Sequence, residues 1–278
     1  MFTGCPRSVG ILPSVSVAYL DHPRPVAFAH RGGAAHKPEN SWPAFEYAAS
    51  LGYAYLETDT RSTSDGRLLA FHDSTLDRVT DRTGQVCKMT YKEVSAARIG
   101  GTEPIPLLED LLGTFKELRF NIDLKDGGTV EPLAGVLRRT QAWDRVCVTS
   151  FSGKRLLQAQ RSLDQPICLA VTPAAFAAVR YAGHPGKTLA VQLARSGAQC
   201  AQVPRQIATR GFIRRCHELG LQVHVWTLNA REHIERALDL GADGVMTDDI
   251  VLLRDILIER GQWHPRAEMA EEGADLRV

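Results

Sequence analysis

The feature that most constrains the fold of this chain is an alternation of short apolar runs with amphipathic helical patterns, which begins at residue 26. The runs predict strands at 26–30, 54–59, 119–124, 145–149, 166–171, 199–203, 222–226 and 243–247. Alternating strands and helices are typical of a parallel sheet. Eight such units in about 250 residues match a TIM-type (β/α)₈ barrel. An open doubly wound sheet is the alternative, although the chain lacks a Gly-x-Gly-x-x-Gly fingerprint.

One segment interrupts this alternation. Residues 60–105 contain an additional strand-like run, Leu68–His72, followed by a polar stretch with several glycines. We interpret the segment as a small insertion after the second strand that folds over the mouth of the barrel. The predicted barrel then spans residues 26–260. We expect residues 1–25 to be a flexible leader and residues 261–278 to be a frayed, charged tail.

Composition narrows the possible partners and location. The 33 basic and 32 acidic residues give no electrostatic case for binding nucleic acid or an anionic membrane. No apolar run approaches the ~20 residues of a spanning helix, so stable membrane insertion is not expected. Six cysteines without a Cys-x-x-Cys pair favour a reducing, cytoplasmic setting. Export is the weaker alternative, because only Arg7 precedes the apolar segment Ser8–Leu20 and Pro13 interrupts it. No feature of the sequence indicates an oligomeric state.

A polar segment, His30–Ser41, follows the first predicted strand and precedes a helix predicted from Trp42 to Leu51. Asn40 or Ser41 can cap that helix, and capping would fully explain Asn40, although Glu39 and Asn40 could also shape the mouth of a site. The segment begins at the carboxyl end of a strand, which is where the chemistry of α/β folds is located. His30 and the adjacent Arg31 are therefore candidate site residues.

Carboxylates end the next two barrel strands. Glu57 and Asp59 lie two residues apart, and so do Asp123 and Lys125, so that each pair shares one side of its strand. Adjacent carboxylates repel each other and resist burial unless a positive group neutralises them. A hard divalent cation, Ca²⁺ or Mg²⁺, is the natural partner of such oxygen ligands.

Other interpretations of these carboxylates remain open. Glu57 and Asp59 could be a solvated strand end or form salt bridges with Arg61 and Arg67, and Asp123 and Lys125 could form a structural ion pair.

His72 ends the inserted strand, and alone it would be interpreted as a structural residue. Together with His30 it forms a pair that can divide proton transfer between an attacking and a leaving oxygen. A cation and the charges of Arg31 and Lys125 would complete a constellation suited to phosphate-ester cleavage.

These motifs, in this order from about residue 26 to 250, resemble the glycerophosphodiester phosphodiesterase family. The matching segments are His30-Arg31-Gly32, Pro38-Glu39-Asn40, Glu57-x-Asp59, Asp65-Gly66, His72-Asp73, Leu76-Asp77-Arg78, Ile105-Pro106-Leu107-Leu108-Glu109, Asp123-Leu124-Lys125, Val225-Trp226-Thr227 with Asn229, and Gly241-Ala242-Asp243-Gly244-Val245-Met246-Thr247-Asp248.

The resemblance implies a TIM-type barrel with a small insertion and one divalent cation. It also implies hydrolysis of glycerophosphodiesters to sn-glycerol 3-phosphate and an alcohol. A cyclic phosphate intermediate would use the glycerol's own hydroxyl as nucleophile. The implied roles are Glu57, Asp59 and Asp123 as metal ligands, His30 as proton acceptor, His72 as proton donor, and Arg31 and Lys125 as phosphate-binding residues.

Some assignments depart from the family or remain open. Asp123 stands where the family commonly has Glu. Its side chain is one methylene shorter, which leaves the identity of the metal more open than the reaction. Trp226 shares a strand side with His224 and could offer an apolar wall to the substrate, with barrel packing as an equal alternative. Asp248 is expected to cap the following helix rather than bind substrate.

Two functional alternatives follow from the same sequence. A phospholipase-type phosphodiesterase acting on intact lipids would need an exposed apolar rim at the site, and the sequence shows no clear one. A non-catalytic phosphodiester-binding barrel would be favoured if the histidines or carboxylates were replaced, and none is.

Overall fold

Parallel strands close into a barrel in the computed structural model of this chain, which describes residues 18–181, 193 and 196–266. The strands are β1 Val26–Ala29, β2 Tyr55–Ser62, β3 Leu68–Ala70, β4 Arg98–Ile99, β5 Glu103–Pro104, β6 Arg119–Leu124, β7 Val146–Thr149, β8 Cys168–Ala170, β9 Ala198–Pro204, β10 Gln222–Trp226 and β11 Gly244–Thr247.

The barrel follows the order β1-β11-β10-β9-β8-β7-β6-β2, and the pairing of β1 with β2 closes it. All of these pairings are parallel. The predicted (β/α)₈ barrel is therefore confirmed, and each predicted barrel strand overlaps an observed one. The second strand extends beyond its predicted end at residue 59, because the antiparallel β3 pairs with its last residues.

Helices surround the barrel. They are α1 Trp42–Ser50, α2 Tyr91–Val94, α3 Leu108–Thr114, α4 Val130–Thr140, α5 Gly153–Ser162, α6 Pro173–Tyr181, α7 Arg210–Glu218, α8 Arg231–Asp239 and α9 Ile250–Glu259. Their apolar stripes pack on the outer face of the strands and form the main core, because burying these side chains removes apolar surface from water. Among the described helices, none has the length and apolar character needed to cross a membrane.

The insertion has a small core of its own. β3 pairs antiparallel with the end of β2, with Thr60 opposite Ala70. Phe71, Val86 and Ile99 are among the apolar residues buried beneath the inserted turns. This packing holds the residues that follow β3, including His72, beside the carboxyl ends of the barrel strands.

The ends of the chain pack closely wherever the structure describes them. The predicted flexible leader and frayed tail fall partly outside the described residues, at 1–17 and 267–278. Within the described parts, Tyr19 is fully buried and its carbonyl accepts a hydrogen bond from the Tyr55 hydroxyl at 2.5 Å. Trp263 packs edge-to-face on Tyr53, with ring centroids 5.1 Å apart. These two aromatic residues thus pack against residues of the barrel domain.

Candidate active site

One pocket at the carboxyl ends of the barrel strands contains every residue that the sequence assigned to a site. It has a volume of about 420 Å³. The predicted residues that line it are His30, Arg31, Glu57, Asp59, His72, Asp123, Lys125 and Trp226. The topology thus gathers residues spread over nearly two hundred positions of the sequence.

The loop after β1 is held tightly against its surroundings. Gly32 has φ +81°, and a Cβ there would lie 2.8 Å from the Cβ of Ala44 in α1, so the loop can approach the helix only with glycine at this position. Arg31 has the left-handed φ of +51°, and its backbone N–H donates to Oε2 of Glu57 at 2.9 Å. The backbone itself therefore ties the first strand's loop to the second strand's carboxylate.

Strand register places the three carboxylates together. In the pairing of β2 with β6, Glu57 lies opposite Asn121 and Asp59 lies opposite Asp123. Glu57, Asp59 and Asp123 are all buried, at 5% exposure or less. Burial raises the pKa of Glu57 to about 7, and the neighbouring Asp59 carboxylate adds to this against the opposing effect of His30.

Two basic side chains neutralise part of this charge. The Nζ atom of Lys125 lies 2.7 Å from Oδ1 of Asp59 and 2.6 Å from Oδ2 of Asp123. The Nε atom of Arg31 lies 3.0 Å from Oδ2 of Asp59. Burial would raise the pKa of Asp59, but Lys125 and Arg31 outweigh it and lower the pKa below its usual value. The Asp–Lys ion pair considered from sequence is present, and it includes Asp59.

The salt bridges from Glu57 and Asp59 to Arg61 and Arg67 do not form. Arg61 donates to the carbonyl of His72 at 3.0 Å. The guanidinium of Arg67 lies over the Tyr91 ring, 5.6 Å from its centroid.

The donor set fits a hard divalent cation in its chemistry. Three buried carboxylates face two basic groups, and Oδ1 of Asp123 is buried without a hydrogen-bond partner among the described residues. Oxygen-only ligands are those that Ca²⁺ and Mg²⁺ prefer. The oxygens of the three carboxylates do not all lie within 4.8 Å of one another in the described structure. Lys125 bridges Asp59 and Asp123 there, so a cation would compete with Lys125 for these oxygens.

His30 is oriented by a carboxylate that sequence analysis assigned to another role. Its Nδ1 atom lies 2.6 Å from Oδ1 of Asp248, and its Nε2 atom lies 3.8 Å from Oε2 of Glu57. The side-chain amide of Asn229 donates to Oδ2 of Asp248 at 2.6 Å and holds it in place. Burial would lower the pKa of His30, but the Glu57 and Asp248 carboxylates outweigh it and raise the pKa.

His72 is oriented by a longer chain of ion pairs. Its Nδ1 atom lies 2.6 Å from Oδ1 of Asp73, which also accepts from Arg78. The hydrogen bond from Arg78 lowers the pKa of Asp73 to about 2, against a smaller opposing effect of burial. Arg78 donates to Glu39 at 2.7 Å and 2.9 Å, and Glu39 accepts from Arg31 at 3.0 Å. The orientation of His72 is thus linked to the loop that carries Arg31.

The structure corrects two roles assigned from sequence. Asp248 does not cap α9; the adjacent Asp249 does so by accepting from the N–H of Leu252. Of the two candidate caps of α1, Ser41 occupies the N-cap position but its side chain makes no capping hydrogen bond. Asn40 does not cap the helix either, because its side chain donates to Asp59 at 3.1 Å and accepts from Thr58 at 2.7 Å. Asp248 and Asn40 instead form hydrogen bonds with His30 and Asp59, which line the pocket. In the sequence, both residues belong to motifs that match the family, but the motifs do not show which side chains they contact.

An apolar wall lines the pocket alongside its charged residues. It consists of Phe151, Val171, Pro173, Phe176, Trp226 and Met246. Phe151 is 69% exposed and packs edge-to-face on Trp226, with ring centroids 5.7 Å apart. The sequence showed no clear exposed apolar rim, because the residues that form it come from strand ends and loops far apart in sequence.

Comparison with known proteins identifies the family. Residues 30–252 match the glycerophosphoryl diester phosphodiesterase family. The chain belongs to this family. Membership places it among the phosphoric diester hydrolases, and the resemblance inferred from the motifs is confirmed.

Curated relatives agree with this membership, and a solved structure shares the fold. A "Probable glycerophosphodiester phosphodiesterase 2" of Mycobacterium tuberculosis is 35% identical over 254 residues, covering 89% of this chain and 96% of the relative. The human "Lysophospholipase D GDPD1" is 26% identical over 267 residues, covering 82% and 85%. A phosphodiesterase from Oleispira antarctica, solved with the product sn-glycerol-3-phosphate, shares the fold with a TM-score of 0.71 at 20% identity, covering 84% and 96%.

The Asp248–His30 contact in this phosphodiesterase family member predicts a pH response. The Asp248 carboxylate stabilises the imidazolium form, so Asp248→Asn should lower the pKa of His30. NMR titration of the His30 ring, in protein freed of divalent cations, measures this directly. Asp249→Asn, which removes the adjacent charge but keeps a side-chain oxygen that can cap α9, is the matched control and should leave the His30 titration unchanged. An unchanged titration in Asp248→Asn would contradict the contact.

Proposed function

We propose that the chain hydrolyses glycerophosphodiesters to sn-glycerol 3-phosphate and an alcohol, and that Glu57, Asp59 and Asp123 hold one divalent cation, Ca²⁺ or Mg²⁺. The observation that carries the proposal is the presence of His30 and His72 in one pocket with three buried carboxylates. Family membership supplies the reaction class, and the pocket supplies groups suited to it. A bound cation would withdraw charge from the phosphate oxygens and favour attack at phosphorus.

The basic side chains would bind the phosphate. Arg31 and Lys125 line the pocket beside the carboxylates, where each is held by Asp59. Burial would lower the pKa of Lys125, but Asp59 and Asp123 outweigh it and raise the pKa, so Lys125 stays charged at neutral pH. Positive side chains that are already in position in a partly buried pocket stabilise the negative charge of a phosphoryl transition state, because the site need not reorganise.

The two histidines would act as general base and general acid. With its Nδ1–H donated to Asp248, His30 presents Nε2 as the acceptor of a proton. In the first step the substrate's glycerol hydroxyl attacks phosphorus and gives its proton to His30. The bond from phosphorus to the alcohol oxygen breaks, and His72 donates a proton to that oxygen. Water then opens the cyclic phosphate, and the two histidines exchange roles.

Replacing either histidine tests its proposed role as proton acceptor or proton donor. His30→Ala and His72→Ala should each lower kcat for glycerophosphocholine hydrolysis by roughly 10²–10⁴-fold, the usual contribution of a general acid or base. Release of sn-glycerol 3-phosphate measures the rate. His36→Ala is the control, because His36 bonds Asp249 outside the pocket. Retained turnover in either pocket variant would remove that residue from the mechanism.

The same assay tests the metal. Complete removal of divalent cations by a chelator should abolish turnover, and Ca²⁺ or Mg²⁺ should restore it. Turnover that is indifferent to cation removal would overturn the assignment of Glu57, Asp59 and Asp123 as ligands.

The apolar wall favours a second candidate substrate, a glycerophosphodiester that carries an acyl or alkyl chain. Phe151 and Trp226 extend this wall to the rim, where an alkyl chain leaving the phosphate could lie. Burying a chain there would remove apolar surface of both partners from water. The human relative that is named a lysophospholipase D fits this substrate class.

A single substitution separates the two substrate classes. Phe151→Ala should raise KM for lysophosphatidylcholine by about tenfold, since a partly covered aromatic side chain contributes roughly 1–2 kcal/mol. KM for glycerophosphocholine should hardly change. Leu157→Ala is the control, because Leu157 is also exposed but lies outside the pocket. An equal loss on both substrates, or no loss on the lipid, would contradict the role of the wall in binding a chain.

A further inference from the structure

Three thiols meet inside the barrel, beneath the active-site pocket. Cys147 on β7, Cys168 on β8 and Cys200 on β9 come from successive strands of the barrel. All three are fully buried, in an interior cluster with Phe28, Tyr55 and Met246. Among the described His, Cys, Asp and Glu side chains, these are the ones whose ligand atoms all lie within 4.8 Å of one another.

The spacing of the sulfurs suits a tetrahedral metal. Sγ of Cys147 lies 3.7 Å from Sγ of Cys200. In a tetrahedral zinc site with Zn–S bonds of about 2.3 Å, two ligand sulfurs are about 3.8 Å apart. The two distances agree, so these two sulfurs could bind one ion with little movement of the strands.

Buried polar groups without partners surround the sulfurs. Nδ1 of His224 and the hydroxyl of Tyr19 are buried and make no hydrogen bond to any described residue. His224 is fully buried on β10, where register places it opposite Gln202, two residues after Cys200 on the neighbouring strand. Alternation along the two strands puts His224 and Cys200 on the same inner face, as diagonal neighbours. Leaving such groups unpaired in a packed interior is costly, so their presence points to a ligand.

The amide of Gln202 links these sulfurs to the active-site floor. Its Nε2 atom lies 3.8 Å from Sγ of Cys147 and 3.8 Å from Sγ of Cys200, at distances suited to N–H donation toward sulfur. The same nitrogen donates to Oδ1 of Asn121 at 2.6 Å, and both Gln202 and Asn121 line the pocket above. Amides that donate to metal-bound thiolates orient them and disperse their charge.

We propose that Cys147, Cys168 and Cys200 bind a Zn²⁺ ion in the barrel interior. The ring nitrogens of His224 lie outside the group of atoms within 4.8 Å of one another, so this residue would become the fourth ligand by moving toward the sulfurs. Soft thiolate ligands select zinc over the hard cations that carboxylate oxygens bind, so this site is distinct from Glu57, Asp59 and Asp123. Binding forms three Zn–S bonds and one Zn–N bond, and the thiol protons leave to solvent. The ion would cross-link strands β7 to β10 directly below the pocket and stabilise its floor.

Cysteines also serve as small apolar fillers of protein cores, and in that case the thiols would hold no metal. Cobalt distinguishes the two possibilities, because Co²⁺ bound to thiolates shows a charge-transfer absorption that a carboxylate site does not produce. Full-length wild-type protein, unfolded and refolded with Co²⁺, should bind the ion at the thiols and show this absorption. Adding Zn²⁺ should displace the cobalt and remove the band.

Variants locate the ion. Cys168→Ala should abolish the thiolate–cobalt absorption and lower the zinc content of the protein purified from zinc-supplemented cells. Cys216→Ala is the matched control, because Cys216 is also fully buried but packs in α7, outside the interior cluster. Asp123→Asn, which changes the carboxylate site, should leave the absorption intact.

Each outcome decides the proposal. Absence of the thiolate–cobalt band in wild-type protein, or a band that survives in Cys168→Ala, overturns it. Should Cys168→Ala fail to fold, titration of the wild-type thiols with a mercurial decides instead. Release of zinc in proportion to thiol modification supports the site, and thiol modification without zinc release contradicts it.

Discussion

The register between β2 and β6 is the constraint on which the rest of the site depends. It sets Asp59 beside Asp123, with Glu57 two residues before Asp59, and buries all three carboxylates at the carboxyl end of a closed barrel. Like charges in a buried site repel each other, and removing them from water is costly. Neighbouring basic residues offset part of this cost, because Lys125 bridges two of the carboxylates and Arg31 pairs with Asp59. A divalent cation held at the same oxygens would relieve the repulsion further and leave the basic groups for a phosphate.

The two histidines depend on partners from opposite ends of the chain. Asp248 and Asn229 follow the last two strands and orient His30, whereas Asp73 and Arg78 in the insertion orient His72. Glu39 connects the two halves, since it accepts from both Arg31 and Arg78. Side chains held by several hydrogen bonds lose little freedom when substrate binds, and such preorganisation makes proton transfer efficient. The insertion is therefore part of the site, because without it the pocket would lack its second histidine.

Local sequence patterns predicted most of the fold and most of the pocket. Alternating apolar runs predicted the barrel strands, and paired polar residues at strand ends predicted Glu57, Asp59, Asp123 and Lys125. The supporting contacts were missed because they join residues far apart: His30 and Asp248 are separated by 218 positions. The contacts of Asn40, a candidate helix cap, were missed for the same reason, since its partners Thr58 and Asp59 lie on β2. Trp226 was considered from sequence as an apolar wall, but the rest of the apolar rim was missed because only closure of the barrel brings its residues together.

A divalent cation bound at this site would compete with Lys125 for the carboxylate oxygens of Asp59 and Asp123, so the position of such a cation is the most direct test of the proposed metal site. Crystals of the wild-type protein soaked in Mn²⁺, measured for anomalous scattering, would locate it. We expect one anomalous peak among the carboxylates of Glu57, Asp59 and Asp123, with the Lys125 ammonium moved away from at least one of the two aspartates. Absence of a peak at a Mn²⁺ concentration that supports full turnover, with Lys125 still bridging Asp59 and Asp123, would contradict the account and leave the carboxylates as partners of Lys125 alone.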